Sequence, residues 1–131
     1  MSSANQLVEA LPLRDIKVKF GSYGNCGGMA MAIVDLEPGT GPGVEMVDAM
    51  TELPAWAEDF RDIVEFCVEH LGVGIRAELR EVVGAELAIR AVVRRVHPNP
   101  VDANERVYRG AGELVVREAA RLAGLEPDET G

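Results

Sequence analysis

Apolar and polar residues alternate along two neighbouring stretches of the chain. In DIKVKF, residues 15–20, the apolar side chains Ile16, Val18 and Phe20 share one side, and their charged neighbours share the other. This period of two is typical of a half-buried strand. MAMAIVDL, residues 29–36, has the composition of a second strand. The link GSYGNCGG contains four glycines in eight residues, so the pattern predicts a β-hairpin.

The period changes to that of a helix after a second cluster of turn residues, EPGTGPG. VEMVDAM follows as a short third strand. From Pro54 to Val82 apolar residues recur with helical spacing, and Pro54 is placed near the first turn. Gly72 and Gly74 interrupt this stripe, so the stretch is either two helices or one bent helix.

Alternation returns between Glu86 and Val96 and stops at HPNP, because proline cannot donate to a strand ladder. Asp102 or Asn104 can cap a last amphipathic helix, which Gly124 ends. The order strand, strand, strand, helix, strand, helix predicts an α+β fold with both helices on one face of the sheet.

A chain of 131 residues is expected to form one domain. We expect a structured core at residues 13–124, flanked by flexible segments at 1–12 and 125–131. The net charge of −9 argues against bulk electrostatic binding to nucleic acid, although a local basic patch remains compatible with it.

Two cysteines, Cys26 in the glycine-rich link and Cys67 on the helical stripe, are too few for a disulfide framework. We therefore expect reduced thiols, and the sequence leaves any redox role of Cys26 open. Neither a secretory signal nor a membrane-spanning stretch is visible, so a cytoplasmic location is expected.

The stretch YG…AIVDLEPGTGPGVEM, from Tyr23 to Met46, resembles the start of domain IV of translation elongation factor G. The segments from Gly72 to Val96 and from Val101 to Ala120 are similar to that domain's helix, glycine turn, penultimate strand and last helix. The resemblance implies a two-layer sandwich with a four-stranded sheet, two main helices on one face and a left-handed β-α-β unit. It also implies a ribosome-linked role.

Two loops depart from the family's pattern. The family's loop before the last helix reads aspartate-glycine-serine-tyrosine-histidine, whereas HPNP stands here, and GSYGNCGG lacks the arginines of the family's first turn. The elongation factor brings these loops to the decoding centre, so the departures argue against a translocase-like role. The chain also lacks GxxxxGK[ST], and no GTPase function is predicted.

Candidate binding residues lie on the polar sides of two strands. Lys17 and Lys19 belong to the first strand, and Arg90 and Arg94 belong to the last. If these strands are neighbours, the four cations form a basic strip on the uncovered side of the sheet that suits RNA phosphates or an acidic protein. The other interpretation is that they are solvated strand faces. Further candidates at the loop tips are Tyr23, Asn25, His97 and Asn99.

The sequence contains no Ser–His–acid, HExxH, CxxC or EF-hand pattern, so no catalytic residue, cofactor or metal site is predicted. The main hypothesis is a non-enzymatic binding module that engages the ribosome, structured RNA or a translation-linked partner. The alternative is a protein–protein interaction or homo-oligomerisation domain without nucleic-acid contact. A small-molecule enzyme on the same fold is the third hypothesis.

Overall fold

The computed structural model describes residues 3–21, 28–50, 61–84, 87–97 and 103–125. Their elements, in chain order, are α1 (Ser3–Ala10), β1 (Leu13–Gly21), β2 (Met29–Pro38), β3 (Val44–Asp48), α2 (Arg61–Val83), β4 (Ile89–Val96) and α3 (Glu105–Leu122). The predictions for Tyr23, Asn25, Cys26, Pro54, Asn99 and Asp102 lie outside the described residues.

The four strands form one mixed sheet in the order β1-β2-β4-β3. β2 is antiparallel to both of its neighbours, and β3 is parallel to β4. Because α2 connects β3 to β4, these elements form a β-α-β unit. The predicted α+β fold is confirmed as a two-layer sandwich, in which α2 and α3 pack on the sheet.

Between Arg61 and Val83 the helical stripe forms a single helix, α2, and Gly74 within it allows α3 to approach closely. A Cβ atom at Gly74 would lie 2.0 Å from the carbonyl oxygen of Arg109. A Cβ atom at Gly112, on α3, would lie 2.2 Å from the carbonyl oxygen of Leu71. Neither distance is possible for real atoms, so both positions require glycine.

Asn104 caps α3, because its side-chain oxygen accepts a hydrogen bond of 3.0 Å from the N–H of Val107. This bond satisfies one of the unpaired donors of the first turn. Of the two caps that the sequence allowed, Asn104 is therefore the one seen to bond the helix.

The core lies between the sheet and the two long helices. Its largest fully buried side chains include Tyr108, Leu7, Ile16, Met29, Leu36, Leu71, Ile75, Leu79 and Ile89. Leu7 belongs to α1, a helix that the sequence pattern did not predict. This helix packs against α2 and α3, and the side-chain amide of Gln6 donates a 3.1 Å hydrogen bond to the carbonyl oxygen of Ala123.

The other side of the sheet, called the open face below, is turned away from α2 and α3. Alternation and strand register place the following side chains on it: Lys17, Lys19, Met31, Ile33, Asp35, Glu37, Glu45, Val47, Arg90, Val92, Arg94 and Arg95. Most of the charged members are exposed. No helix in the described part of the chain is both long and apolar enough to cross a membrane.

Candidate functional site

The strands that carry the predicted cations are not neighbours, because β2 lies between β1 and β4. The condition on which the continuous basic strip depended is therefore not met. The register nevertheless brings cations from both strands to one residue of β2, since Lys17 and Arg95 are both aligned with Ile33. Lys19 is aligned with Met31, which is the next position along the open face.

These positions define a cationic end of the open face, formed by Lys17, Lys19, Arg94 and Arg95. All four side chains are exposed, and the partly exposed Met31 and Ile33 lie between the two lysines and the two arginines. Lys17 and Arg95 form no ion pair with any described residue. The structure therefore concentrates positive charge on one part of an acidic chain.

Arg90 lies at the opposite end of the open face from this cluster. Its register partners are Glu37 on one side and Glu45 on the other. The Nε of Arg90 is 3.9 Å from a carboxylate oxygen of Glu37. Arg90 therefore belongs to a mixed-charge region, and Arg95 takes the place in the cationic end that Arg90 was expected to fill.

His97 follows β4 near the cationic end of the open face, where β1 ends and β2 begins. Its backbone is bonded to Tyr108 on α3, whose hydroxyl donates to the carbonyl oxygen of His97 at 2.8 Å. The predicted partners at the loop tips, Tyr23, Asn25 and Asn99, lie outside the described residues, so their distances from His97 are not defined.

Asp35 belongs to the site but was not among the candidate residues predicted from the sequence. It lies on the open face but is fully buried. Its carboxylate accepts hydrogen bonds from the backbone N–H of Asp15 at 2.8 Å, from Nη1 of Arg14 at 3.2 Å and from Nε of Arg94 at 2.5 Å. The available signal was an aspartate within the otherwise apolar run of β2.

Two β-bulges on the flanking strands create this arrangement. In β1, Arg14 and Asp15 together stand opposite Asp35, and Asp15 has a positive φ of 57°. In β4, Arg94 is the extra residue between Val93 and Arg95. A bulge redirects side chains and backbone donors locally, so both flanking strands supply donors to the same carboxylate.

The pKa of Asp35 is lowered from its usual range. Burial by itself acts in the opposite direction, but the N–H of Asp15 and the guanidinium of Arg94 stabilise the charged form more strongly. Asp35 is therefore a carboxylate at neutral pH, and it holds Arg14 and Arg94 as ion-pair partners.

A groove between the edge of β1 and α3 also carries cations. Its lining residues are Lys17, Val18, Leu114, Arg117, Glu118 and Arg121. Arg117 is paired with Glu78 at 2.9 Å, and Arg121 is paired with Glu118 at 2.5 Å. Acids therefore offset the charge of both arginines of this groove.

Neither thiol chemistry nor metal binding is indicated in the described part of the chain. Burial raises the pKa of the Cys67 thiol to about 11, so this group stays protonated and unreactive at neutral pH. No group of three His, Cys, Asp or Glu side chains within the described ranges is placed to hold a metal ion.

Neither a protein-family model nor a curated protein matches this chain. A crystal structure from Thermus thermophilus is similar to it, with a TM-score of 0.47 and 21% sequence identity. The similarity covers 75% of this chain but only 14% of the Thermus chain.

Proposed function

We propose that this chain is a non-enzymatic binding module that contacts the phosphate backbone of structured RNA through the cationic end of its open face. The observation that supports the proposal is the position of Lys17, Lys19, Arg94 and Arg95 around one corner of a sheet face that no described helix covers. Clustered lysines and arginines supply the salt-dependent part of nucleic-acid affinity.

The distribution of acids gives the domain a preferred orientation toward a polyanion. α2, on the far side of the sheet, carries five acidic residues and three arginines. Like charges repel, so α2 disfavours contact with RNA. A polyanion would therefore approach the sheet in preference to α2, although the net charge of the chain is −9.

The chemistry of the cationic end favours recognition of shape and backbone over recognition of sequence. Its lysines and arginines suit phosphate oxygens, and the exposed parts of Met31 and Ile33 suit the apolar faces of sugars. Sequence-specific RNA readers commonly stack bases on aromatic side chains. The open face carries no aromatic side chain among the residues that the structure describes.

The resemblance to domain IV of elongation factor G narrows the proposal to a translation-linked target such as ribosomal RNA. It also supports a cytoplasmic location, where such RNA is found. HPNP and the arginine-free GSYGNCGG differ from the loops of that family. The proposed contact therefore uses the sheet face, and translocation is not part of the proposal.

Fluorescence anisotropy with a labelled structured RNA, repeated over a range of salt concentrations, tests this function. We expect Lys17→Glu combined with Arg95→Glu to weaken binding at least about tenfold and to reduce the salt slope by about two, one for each lost phosphate contact. The matched control is Arg61→Glu combined with Arg80→Glu, which makes the same charge change on α2. Absent binding by the wild type, or equal losses in both double variants, would refute the proposal.

A protein partner is the second candidate, because Met31, Ile33 and Val47 place partly exposed apolar groups on the same face. Such a partner would bury apolar surface, so its affinity would depend weakly on salt. Sedimentation of the purified chain and pull-down experiments at high salt distinguish this case. Binding that survives about 1 M salt, where charge–charge attraction is screened within a few ångströms, and is lost in Ile33→Asp would favour a protein partner or a second copy.

A further inference from the structure

Arg94 differs from the other members of the cationic end because a buried carboxylate holds its Nε. The 2.5 Å contact to Asp35 uses one edge of the planar guanidinium. Its terminal nitrogens, Nη1 and Nη2, have no bond to a described residue, and the side chain is 48% exposed. Arg94 therefore keeps its two-pronged donor edge available to a ligand.

The carboxylate that holds Arg94 is itself held in place. Asp35 is fully buried, and it accepts from the backbone N–H of Asp15 as well as from Arg14. The donor on Asp15 is positioned by a bulge in which that residue adopts a left-handed backbone conformation. A left-handed conformation is unfavourable for aspartate compared with glycine, so the surrounding structure must stabilise it.

We propose that Asp35 is a positioning residue for RNA binding, which fixes Arg94 so that its two terminal nitrogens meet one phosphate of the RNA backbone. This inference rests on the function proposed above and adds to it a specific contact. Arginine suits such a role because its planar fork matches the geometry of phosphate oxygens.

The physical advantage lies in ordering the side chain before the ligand arrives. A free arginine loses conformational entropy when it binds a phosphate, whereas an arginine already held at Nε has lost much of that freedom on folding. Lys17 is a flexible cation that attracts the backbone without a fixed direction. Arg94 is therefore expected to contribute direction as well as charge.

Simple electrostatics makes the opposite prediction, and this makes the proposal testable. Asp35 is a negative charge within a cationic region, so its removal should strengthen RNA binding if only net charge mattered. If Asp35 positions Arg94, then Asp35→Asn should weaken binding even though the variant is one unit more positive. The sign of the change separates the two explanations.

The experiment measures RNA affinity by anisotropy for the wild type, Asp35→Asn, Arg94→Gln and the double variant. We expect a loss of about tenfold for Asp35→Asn, equivalent to one charge-assisted hydrogen bond, and no further loss when it is added to Arg94→Gln. The matched control is Glu37→Gln, which removes a carboxylate from the same face without touching Arg94, and it should bind as tightly as the wild type or more tightly.

Circular dichroism shows whether Asp35→Asn is folded, and Arg94→Lys provides a reading that does not depend on that variant. Arg94→Lys keeps the charge but loses the fork, so its affinity should fall nearly as far as that of Arg94→Gln. Unchanged or tighter binding by Asp35→Asn, or wild-type affinity in Arg94→Lys, overturns the inference while leaving the RNA-binding function intact. If the wild type does not bind RNA, both proposals fail.

Discussion

The hydroxyl of Tyr108 connects α3 to the end of β4 by two hydrogen bonds to His97. It donates to the carbonyl oxygen of His97 at 2.8 Å and accepts from its N–H at 3.2 Å. Tyr108 is fully buried, and burial raises the pKa of its hydroxyl. The hydroxyl therefore stays protonated and satisfies both the N–H and the carbonyl oxygen of His97, the residue that precedes Pro98 in the sequence.

Tyr108→Phe should lower the free energy of unfolding by about 1–3 kcal/mol, because both backbone groups of His97 lose their partner inside the protein. Urea unfolding followed by circular dichroism measures this change. His97→Ala is the matched variant, since it keeps the backbone groups that Tyr108 binds. It should lower the free energy of unfolding by less than Tyr108→Phe does. A smaller loss in Tyr108→Phe than in His97→Ala would contradict this account.

Gly74→Ala and Gly112→Ala should each destabilise the protein, by about 1–3 kcal/mol, because the added methyl group forces α2 and α3 apart. In an exposed helix the same substitution is favourable by about 1 kcal/mol, so the sign of the effect is diagnostic. Gly41→Ala is the control, since a Cβ atom there meets nothing within 4 Å. Thermal unfolding should show lower midpoints for the two helical variants only.

Asp15→Val should lower the free energy of unfolding by about 1–3 kcal/mol, because a β-branched residue tolerates positive φ poorly. Asp15→Gly should stay within about 1 kcal/mol of the wild type, since glycine adopts this conformation readily. Lys17→Val, at an exposed site of the same strand, controls for the added apolar surface. Equal losses in Asp15→Val and Lys17→Val, measured by urea unfolding, would show that the bulge carries no strain.

The lowered pKa of Asp35 predicts a specific dependence of stability on pH. Because the pKa is lower in the folded than in the unfolded state, the charged carboxylate stabilises the fold above the unfolded value of about 3.9. That contribution is lost as the pH falls through the folded-state pKa. Asp35→Asn should therefore show a smaller loss of stability than the wild type below about pH 4. If the free energies of unfolding of the two proteins fell in parallel as the pH was lowered, the predicted contribution of Asp35 would be ruled out.

The fold was largely predictable because its elements have strong local patterns. The alternation of apolar and polar residues placed Ile16 and Val18 on one face of β1, and the helical spacing of apolar residues predicted α2. α1 was not predicted, because the helices against which it packs, α2 and α3, are far from it in sequence, and its residue Leu7 becomes buried only in the folded chain. A short segment with one buried position leaves little periodic signal of its own.

The candidate site was predicted only in part. Lys17, Lys19 and Arg94 do lie on the open face, but strand order separates the lysines from the arginine by the width of β2. The bulge at Arg94 places Arg95 in register with Ile33, so that Arg95 replaces Arg90 in the cluster. Neither strand order nor a bulge follows from alternation along a single strand.

The sequence by itself determined the α+β class, the alternating strands and the long amphipathic helices, because these follow from interactions between residues close along the chain. The tertiary structure decided which charges meet. Asp35 becomes buried, and binds Arg14 and Arg94, only when β2 pairs with both β1 and β4 and each of those strands carries an extra residue. Such pairings join residues far apart in sequence, so no local pattern specifies them.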